Sequence, residues 1–110
     1  MDDQLRATLE GTTFWSLSTV NPDGSPQATI NWIHTRGDKI LINTALGRKK
    51  PRNIDANPHV ALAWYDPESP YTSYAVQAKV VEKIVGDQAE ADIDFLAKKY
   101  IGEDRYPWRG

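Results

Sequence analysis

The stretch Leu-Ser-Thr-Val-Asn-Pro-Asp-Gly-Ser-Pro-Gln, residues 17–27, decides the fold of this chain. It continues an alternating segment in which Trp15, Leu17 and Thr19 share one face of a strand. Residues 21–24 then predict a tight turn, because proline fixes one backbone angle and glycine permits a left-handed one. A turn between two alternating segments predicts an antiparallel hairpin.

The same reading extends along the chain. Alternating or apolar segments predict strands at residues 13–20, 27–35, 39–44, 59–65 and 72–85. Helices are predicted at residues 2–10, at residues 48–56 and from Asp87 to a stop at Gly102, where Asp87 and Glu90 have capping-box spacing. Five strands and three short helices in this order predict a mainly β (α+β) antiparallel domain, a small barrel.

Composition excludes several classes of protein. The 110 residues suffice for one compact domain, and the absence of cysteine excludes disulfides, thiolate metal sites and a cysteine nucleophile. No apolar run approaches the roughly 20 residues of a membrane helix, and the acidic N-terminus is unlike a signal peptide. We therefore expect a cytoplasmic protein that does not bind membranes.

Charge is concentrated in one place. The chain has 13 basic and 15 acidic residues, and four of the basic ones lie within residues 48–52. One basic cluster in an otherwise acidic chain, without interleaved aromatics, predicts an anion site and argues against a nucleic-acid-binding domain.

The basic cluster coincides with a predicted helix start. Cations oppose the helix dipole there, and a bound phosphate would resolve this conflict through backbone N–H groups and Arg48, Lys50 and Arg52. Thr44 could add a hydroxyl. The alternative of solvated charges without a ligand stays open at this point.

No other group of residues predicts catalysis. His34 and His59 are expected to be structural, no metal ligands have suitable spacing, and no serine lies in a nucleophile-elbow context. Asn31, between two apolar residues of a strand, should bond something specific. A phosphate site without an acid, base, nucleophile or metal suits a bound organic cofactor that carries the chemistry.

Four stretches in this order resemble the flavin- and deazaflavin-dependent oxidoreductases of the pyridoxamine 5′-phosphate oxidase-like FMN-binding split-barrel superfamily. The resemblance implies a six-stranded split β-barrel spanning residues 1–110 as a single domain, and a homodimer with cofactor sites between the subunits. The stretches are residues 17–27, residues 43–54 (Asn-Thr-Ala-Leu-Gly-Arg-Lys-Lys-Pro-Arg-Asn-Ile), residues 57–62 and residues 98–107.

The resemblance also implies the function and the site. Motifs at residues 47–53 and 100–107 favour the deazaflavin coenzyme F-420 over FMN, with hydride transfer to or from a small conjugated organic substrate. No residue is assigned a catalytic role, since the cofactor supplies the reacting atom. The implied phosphate pocket comprises Asn43, Thr44, Arg48, Lys49, Lys50, Arg52 and Asn53, the implied ring-binding strand comprises Thr29, Ile30, Asn31 and Trp32, and Gln77 with partner-subunit residues completes the site.

Two points remain open in the sequence. Family members continue beyond the Tyr106-Pro107 pair into a last strand, which is not among these 110 residues. A non-catalytic flavin- or haem-binding module on the same fold is the alternative to an oxidoreductase, and the residues do not separate the two.

Overall fold

Six strands and three helices make up the part of the chain that this computed structural model describes, which is residues 1–43 and 49–107, without the side chains of residues 49–52. All strand pairs are antiparallel. One sheet has the strand order β2-β1-β5-β6, and β3 pairs with β4 in a second sheet. The elements are α1 (Asp3–Glu10), β1 (Trp15–Val20), β2 (Pro26–Asn31), β3 (Ile33–Arg36), β4 (Lys39–Ile42), α2 (Lys49–Ala56), β5 (His59–Asp66), β6 (Ser69–Lys79) and α3 (Asp87–Ile101).

The fold class is the predicted one, a mainly β split barrel with short flanking helices. Its first hairpin closes as expected: the Asn21 N–H donates to Ser25 O at 2.7 Å and the Gly24 N–H to Asn21 O at 2.8 Å. Gly24 has a φ of 89°, which few other residues adopt. The Asp23 carboxylate accepts from the Ser25 N–H at 2.9 Å, an Asx turn that fixes the reversal.

The second predicted strand, residues 27–35, is not continuous. β2 ends at Asn31 and β3 begins at Ile33, and the two belong to different sheets. At the break, the Ile33 N–H donates to the hydroxyl of the distant residue Tyr100 at 3.1 Å. Sequence alternation continues through the break, so the described residues contain six strands where five were predicted.

Two further predictions need correction. The strand predicted at residues 72–85 runs instead over Ser69–Lys79, and the following residues leave the sheet. The capping box at Asp87 is also wrong, because Gly86 is the N-cap of α3 and makes no side-chain capping bond. The predicted stop of α3 is confirmed at Gly102, which has a left-handed backbone.

The core lies between the two sheets and α1. Its buried members are Leu9, Trp15, Leu17, Ile33 and Leu62. Each buried side chain of this kind stabilises the fold by about 1.5–3 kcal/mol relative to exposure.

The helices are short: α3, with 15 residues, is the longest in the described ranges, and none of them has the length and apolarity needed to cross a membrane.

An aromatic row lines the core side of the larger sheet. The ring of Trp15 stacks on Trp64 with centroids 6.1 Å apart and on Tyr74 with centroids 6.3 Å apart. These side chains come from β1, β5 and β6, so the row ties three strands together. It forms one wall of the barrel interior.

Candidate functional site

Strand β2 divides the predicted ring-binding residues between two faces. Asn31 is 6% exposed and its amide nitrogen donates to Thr29 O at 2.9 Å and to Thr29 Oγ1 at 3.0 Å. Ile30 points the other way and is 69% exposed. The side chain of Ile30 is therefore open to a ligand, whereas Thr29 and Asn31 face the interior. The prediction that Asn31 bonds something specific is confirmed by its contacts with Thr29.

Trp32 lies at the break between β2 and β3 and is covered by the C-terminal part of the chain. Its ring stacks on Tyr100, with centroids 5.4 Å apart and planes only 6° apart. The ring of Tyr106 packs edge-on against it at 6.0 Å. The Tyr106 N–H donates to the Asp94 carboxylate at 2.8 Å, which holds residue 106 over α3. Trp32 thus joins β2 to α3.

The predicted phosphate segment lies partly outside the described residues. Thr44 and Arg48 fall there, and Lys49, Lys50 and Arg52 belong to α2 without described side chains. Asn43 directly follows β4 and is half-buried. Helix α2 begins at Lys49, as predicted, with no acidic residue in its first turn. Its first N–H groups have no partner within the helix, which is the property that suits a helix start for an anion. The phosphate site itself stays a prediction.

Asn53 anchors α2 to the first hairpin. The residue is 2% exposed, and its amide nitrogen donates to Thr19 Oγ1 at 3.1 Å and to Asn21 Oδ1 at 2.9 Å. Both amide hydrogens are used, since a side-chain amide has two donors. Asn53 therefore positions the helix that was predicted to hold phosphate.

Gln27 was not among the predicted site residues. It lies directly opposite Thr19 in the β1–β2 ladder. Its Oε1 atom is buried and has no hydrogen-bond partner among the described residues. A buried amide oxygen of this kind can accept a hydrogen bond from a ligand. The signal in the sequence was an amide on the same strand face as Thr29 and Asn31.

Gln77 lies far from β2 within one chain. It is exposed on β6, at the opposite edge of the sheet, with β1 and β5 in between. Three strand spacings amount to about 14 Å. The ladder pairs place Ala28, Ser18, Ala61 and Gln77 in one row across the outward face, and Ile30, Ser16, Ala63 and Ala75 in the next. None of these eight side chains is charged.

Lys99 is the most strongly perturbed cation among the described residues. Its Nζ atom donates to Ile33 O at 2.5 Å and to Leu9 O at 3.0 Å, and lies 3.1 Å from His34 Nδ1. Burial lowers the pKa of Lys99 to about 8. Burial also lowers the pKa of His34, with the Lys99 charge acting in the same direction. These contacts fix α3 against α1 and β3, which is a structural role, as predicted for His34.

Two other features of the described residues were candidates for a site, a metal-ligand cluster and a surface cavity. Within the described ranges, no three His, Asp or Glu side chains lie close enough together to hold a metal ion. A surface cavity of about 450 Å³ is lined by Arg36, Glu82, Ile84 and Gln88. None of the predicted site residues lines it, and Arg36 is engaged in an ion pair there.

Residues 1–107 match the sequence model of a family described as pyridoxamine 5′-phosphate oxidase. The chain belongs to this family. Its sheet order and the break at Trp32 are thus the form that the family's split barrel takes here. Curated proteins, by contrast, provide no significant match.

Solved structures give the same fold. A protein named F420 reductase is 35% identical, with a TM-score of 0.80 over 93% of this chain and 80% of that chain. A conserved hypothetical protein from Mycobacterium tuberculosis is 22% identical, with a TM-score of 0.72 over 94% of this chain and 66% of that one. A haem-binding protein from Mycobacterium smegmatis is 23% identical, with a TM-score of 0.62 over 94% of this chain and 47% of its own. The last two similarities show the fold alone.

Proposed function

We propose that the chain binds coenzyme F-420 and transfers a hydride between it and a small conjugated organic molecule. The observation that carries this proposal is the 35% identity, over 93% of the chain, to a protein named F420 reductase. FMN is the alternative ligand for the same site. When bound, the deazaflavin supplies the carbon that gives or takes the hydride, so the protein needs no acid, base or nucleophile of its own.

The phosphate of the cofactor is assigned to the start of α2. Free backbone N–H groups at a helix start and adjacent cations both favour a phosphate group. Because Asn53 uses both amide hydrogens on Thr19 and Asn21, the middle of α2 is held against the β1–β2 hairpin, which limits where the start of the helix can lie. The assigned ligands are Asn43, Thr44, Arg48, Lys49, Lys50 and Arg52.

The ring of the cofactor is assigned to β2, whose residues fit a partly polar ring. β2 is an edge strand that pairs with β1 in the larger sheet. Ile30 offers an exposed apolar contact on the outward face of β2, and Ser16, directly opposite it on β1, adds a hydroxyl on that face. These groups would bind and orient the ring and exclude water from one of its faces, which is the protein's share of the catalysis. Gln27 Oε1 lies on the inward face and is not assigned a contact with the ring.

A second copy of the chain is proposed as the partner that completes the site. The outward face of the larger sheet carries eight uncharged side chains in two rows, most of them alanine or serine. Solvent-facing strand positions are ordinarily polar, so a face of mostly small, uncharged side chains suits packing against another sheet. Gln77 is too far from β2 to serve the same chain's ring site, and a homodimer would allow it to serve the partner's.

Equilibrium titration tests the proposal. F-420, FMN and haem are added in turn and intrinsic tryptophan fluorescence is followed, and we expect an F-420 dissociation constant below about 100 μM. The double variant Arg48→Ala/Lys50→Ala should raise this dissociation constant at least about tenfold, because the phosphate loses a charge-assisted hydrogen bond with each side chain removed. The double variant Lys39→Ala/Lys98→Ala removes the same charge elsewhere and is the matched control.

The outcomes separate the hypotheses. Failure of both F-420 and FMN to bind below this concentration overturns the proposal. Equal effects of the two double variants would overturn the phosphate assignment alone. Binding of F-420 without hydride transfer to quinone or enone acceptors, or binding of haem only, favours the non-catalytic module.

A further inference from the structure

The β1–β2 ladder ends where a tyrosine hydroxyl enters it. The last pair of the β1–β2 ladder is Trp15 with Asn31. If the ladder continued in the same register for two more residues, Thr13 would lie opposite Ile33. The Ile33 N–H instead donates to Tyr100 Oη at 3.1 Å. Tyr100 Oη in turn donates to Thr13 O at 2.5 Å. The hydroxyl thus stands between two backbone groups that would otherwise continue the sheet.

The carbonyl of Ile33 is also satisfied from α3. Tyr100 Oη lies 3.2 Å from Ile33 O, but its single proton is used in the shorter bond to Thr13. Lys99 Nζ donates to Ile33 O at 2.5 Å. Two consecutive residues of α3 therefore take both peptide groups of Ile33. This leaves β3 free of β1 and paired with β4, where Ile33 lies opposite Ile42.

The ring of Tyr100 contacts Trp32, the residue next to Ile33. It stacks almost parallel on Trp32, which is the residue between the two strands. Hydroxyl and ring together contact two consecutive positions of the chain, Trp32 and Ile33, directly after the end of β2 at Asn31. Because the side chain is half-buried, the pKa of Tyr100 is raised and the hydroxyl stays a neutral donor in the neutral pH range.

We propose that Tyr100 is a positioning residue for the cofactor site: its hydroxyl ends the β1–β2 ladder at Asn31 and its ring fixes Trp32. The end of β2, to which the cofactor ring is assigned, is thereby held in its binding shape. The part of this proposal that concerns the cofactor rests on the proposed function. Tyr100 acts through β2 and is not assigned a contact with the cofactor.

The variant Tyr100→Phe separates the hydroxyl from the ring. Phenylalanine keeps the stack on Trp32 but leaves the Thr13 carbonyl and the Ile33 N–H without their bridging partner. We expect amide hydrogen exchange at Ile33 to accelerate at least about tenfold, since this N–H loses its partner. We also expect the F-420 dissociation constant to rise about tenfold through loss of the preorganised strand. Tyr71→Phe removes a hydroxyl from a fully exposed side chain and should change neither quantity.

A second control distinguishes positioning from general destabilisation. Asp92→Asn weakens the ion pair with Arg36, on a different part of α3. It should lower the unfolding temperature without changing the F-420 dissociation constant at a temperature where both variants are folded. Trp32→Leu removes the stack but keeps the hydroxyl bridge. Ile33 should stay protected in this variant, because the hydroxyl bridge ends the ladder without the stack, and this tests the two parts of the Tyr100 side chain separately even if Tyr100→Phe folds poorly.

The outcomes are decisive in each direction. Unchanged Ile33 exchange or an unchanged dissociation constant in folded Tyr100→Phe overturns the positioning role. An equal loss of affinity in Asp92→Asn overturns it as well. If wild-type protein binds neither F-420 nor FMN, the proposed function fails and the positioning role fails with it. An affinity loss in Tyr100→Phe that Tyr71→Phe and Asp92→Asn do not share supports both.

Discussion

The guanidinium of Arg36 makes two hydrogen bonds to the carboxylate of Asp92, joining the end of β3 to the buried side of α3. Nη1 donates to Oδ2 at 3.0 Å, and Nη2 donates to Oδ1. Asp92 is 8% exposed and also accepts from the Gln88 amide at 2.8 Å. The bonds from Arg36 hold the pKa of Asp92 below its ordinary value. The pair fastens the smaller sheet to α3.

Removing Arg36 from its ion pair with Asp92 should destabilise the fold. Arg36→Met leaves a nearly buried carboxylate that keeps the side-chain donor Gln88, and we expect a loss of about 1–3 kcal/mol in the free energy of unfolding. Urea denaturation measures it. Arg6→Met is the control, because the partners of Arg6 are exposed, and its loss should stay below about 1 kcal/mol.

The Asp92 pair also predicts a pH dependence. A carboxylate with a lowered folded-state pKa stabilises the fold above its ordinary pKa of 3.8, and this contribution is lost as the pH falls through the folded value. The stability difference between wild type and Arg36→Met should therefore shrink as the pH drops below about 4. A difference that stays constant through acid pH would contradict the assignment.

The lowered pKa of Lys99 predicts that the stability of the fold changes at alkaline pH. Burial lowers its pKa from 10.5 to about 8, so between these values the unfolded chain binds a proton that the folded chain does not. Stability contributed by this residue therefore rises with pH across that window. Urea denaturation across the window should show wild type gaining stability relative to Lys99→Met. Lys98→Met removes one charge at an exposed neighbouring position and is the reference variant for this measurement.

The two hydrogen bonds of Asn53 lead us to expect a loss of stability when its side chain is truncated. Asn53→Ala leaves the buried Thr19 hydroxyl without the amide donor and should cost about 1–3 kcal/mol of unfolding free energy. Asn21→Ala removes only one of the two acceptors, at a partly exposed position, and should cost less. Thermal or urea unfolding of the two variants decides this. Equal losses would mean that the Thr19 contact contributes little.

The proposed dimer predicts the effect of a charge at the centre of the outward face. Ala61→Glu places a carboxylate in the middle of the uncharged rows, where packing against a second sheet would bury it without a partner. We expect the species measured by sedimentation velocity to change from dimer to monomer. Thr72→Glu, at the exposed end of β6, is the control and should remain dimeric. A dimer that persists in Ala61→Glu contradicts the use of this face.

Local signals in the sequence determined much of the fold. The turn at residues 21–24 and the helix stop at Gly102 both follow from neighbouring residues, and both are observed. The break at Trp32 does not, because Tyr100 lies 67 positions from Ile33 in the chain. A single distant hydroxyl overrides an alternation that continues without interruption.

The candidate site divides in the same way. The helix at Lys49 and the strand at β2 were predicted from local patterns, and the implied cofactor residues lie on them. The two faces of β2, the use of Asn53 as an anchor and the buried Gln27 oxygen depend on contacts between elements. Alternation along residues 27–35 assigns each side chain to one of two faces, but β2 and β3 belong to different sheets. Which face is inward can therefore be decided only when the break at Trp32 is known.

The row of Trp15, Trp64 and Tyr74 gives the native state an optical signature of its own. Stacked indole and phenol rings held about 6 Å apart in a fixed, chiral arrangement produce a strong near-ultraviolet circular dichroism signal. Loosened packing removes such a signal even when the strands persist. Near- and far-ultraviolet spectra recorded together would therefore distinguish a variant that has lost its barrel interior from one that has lost only its ligand site.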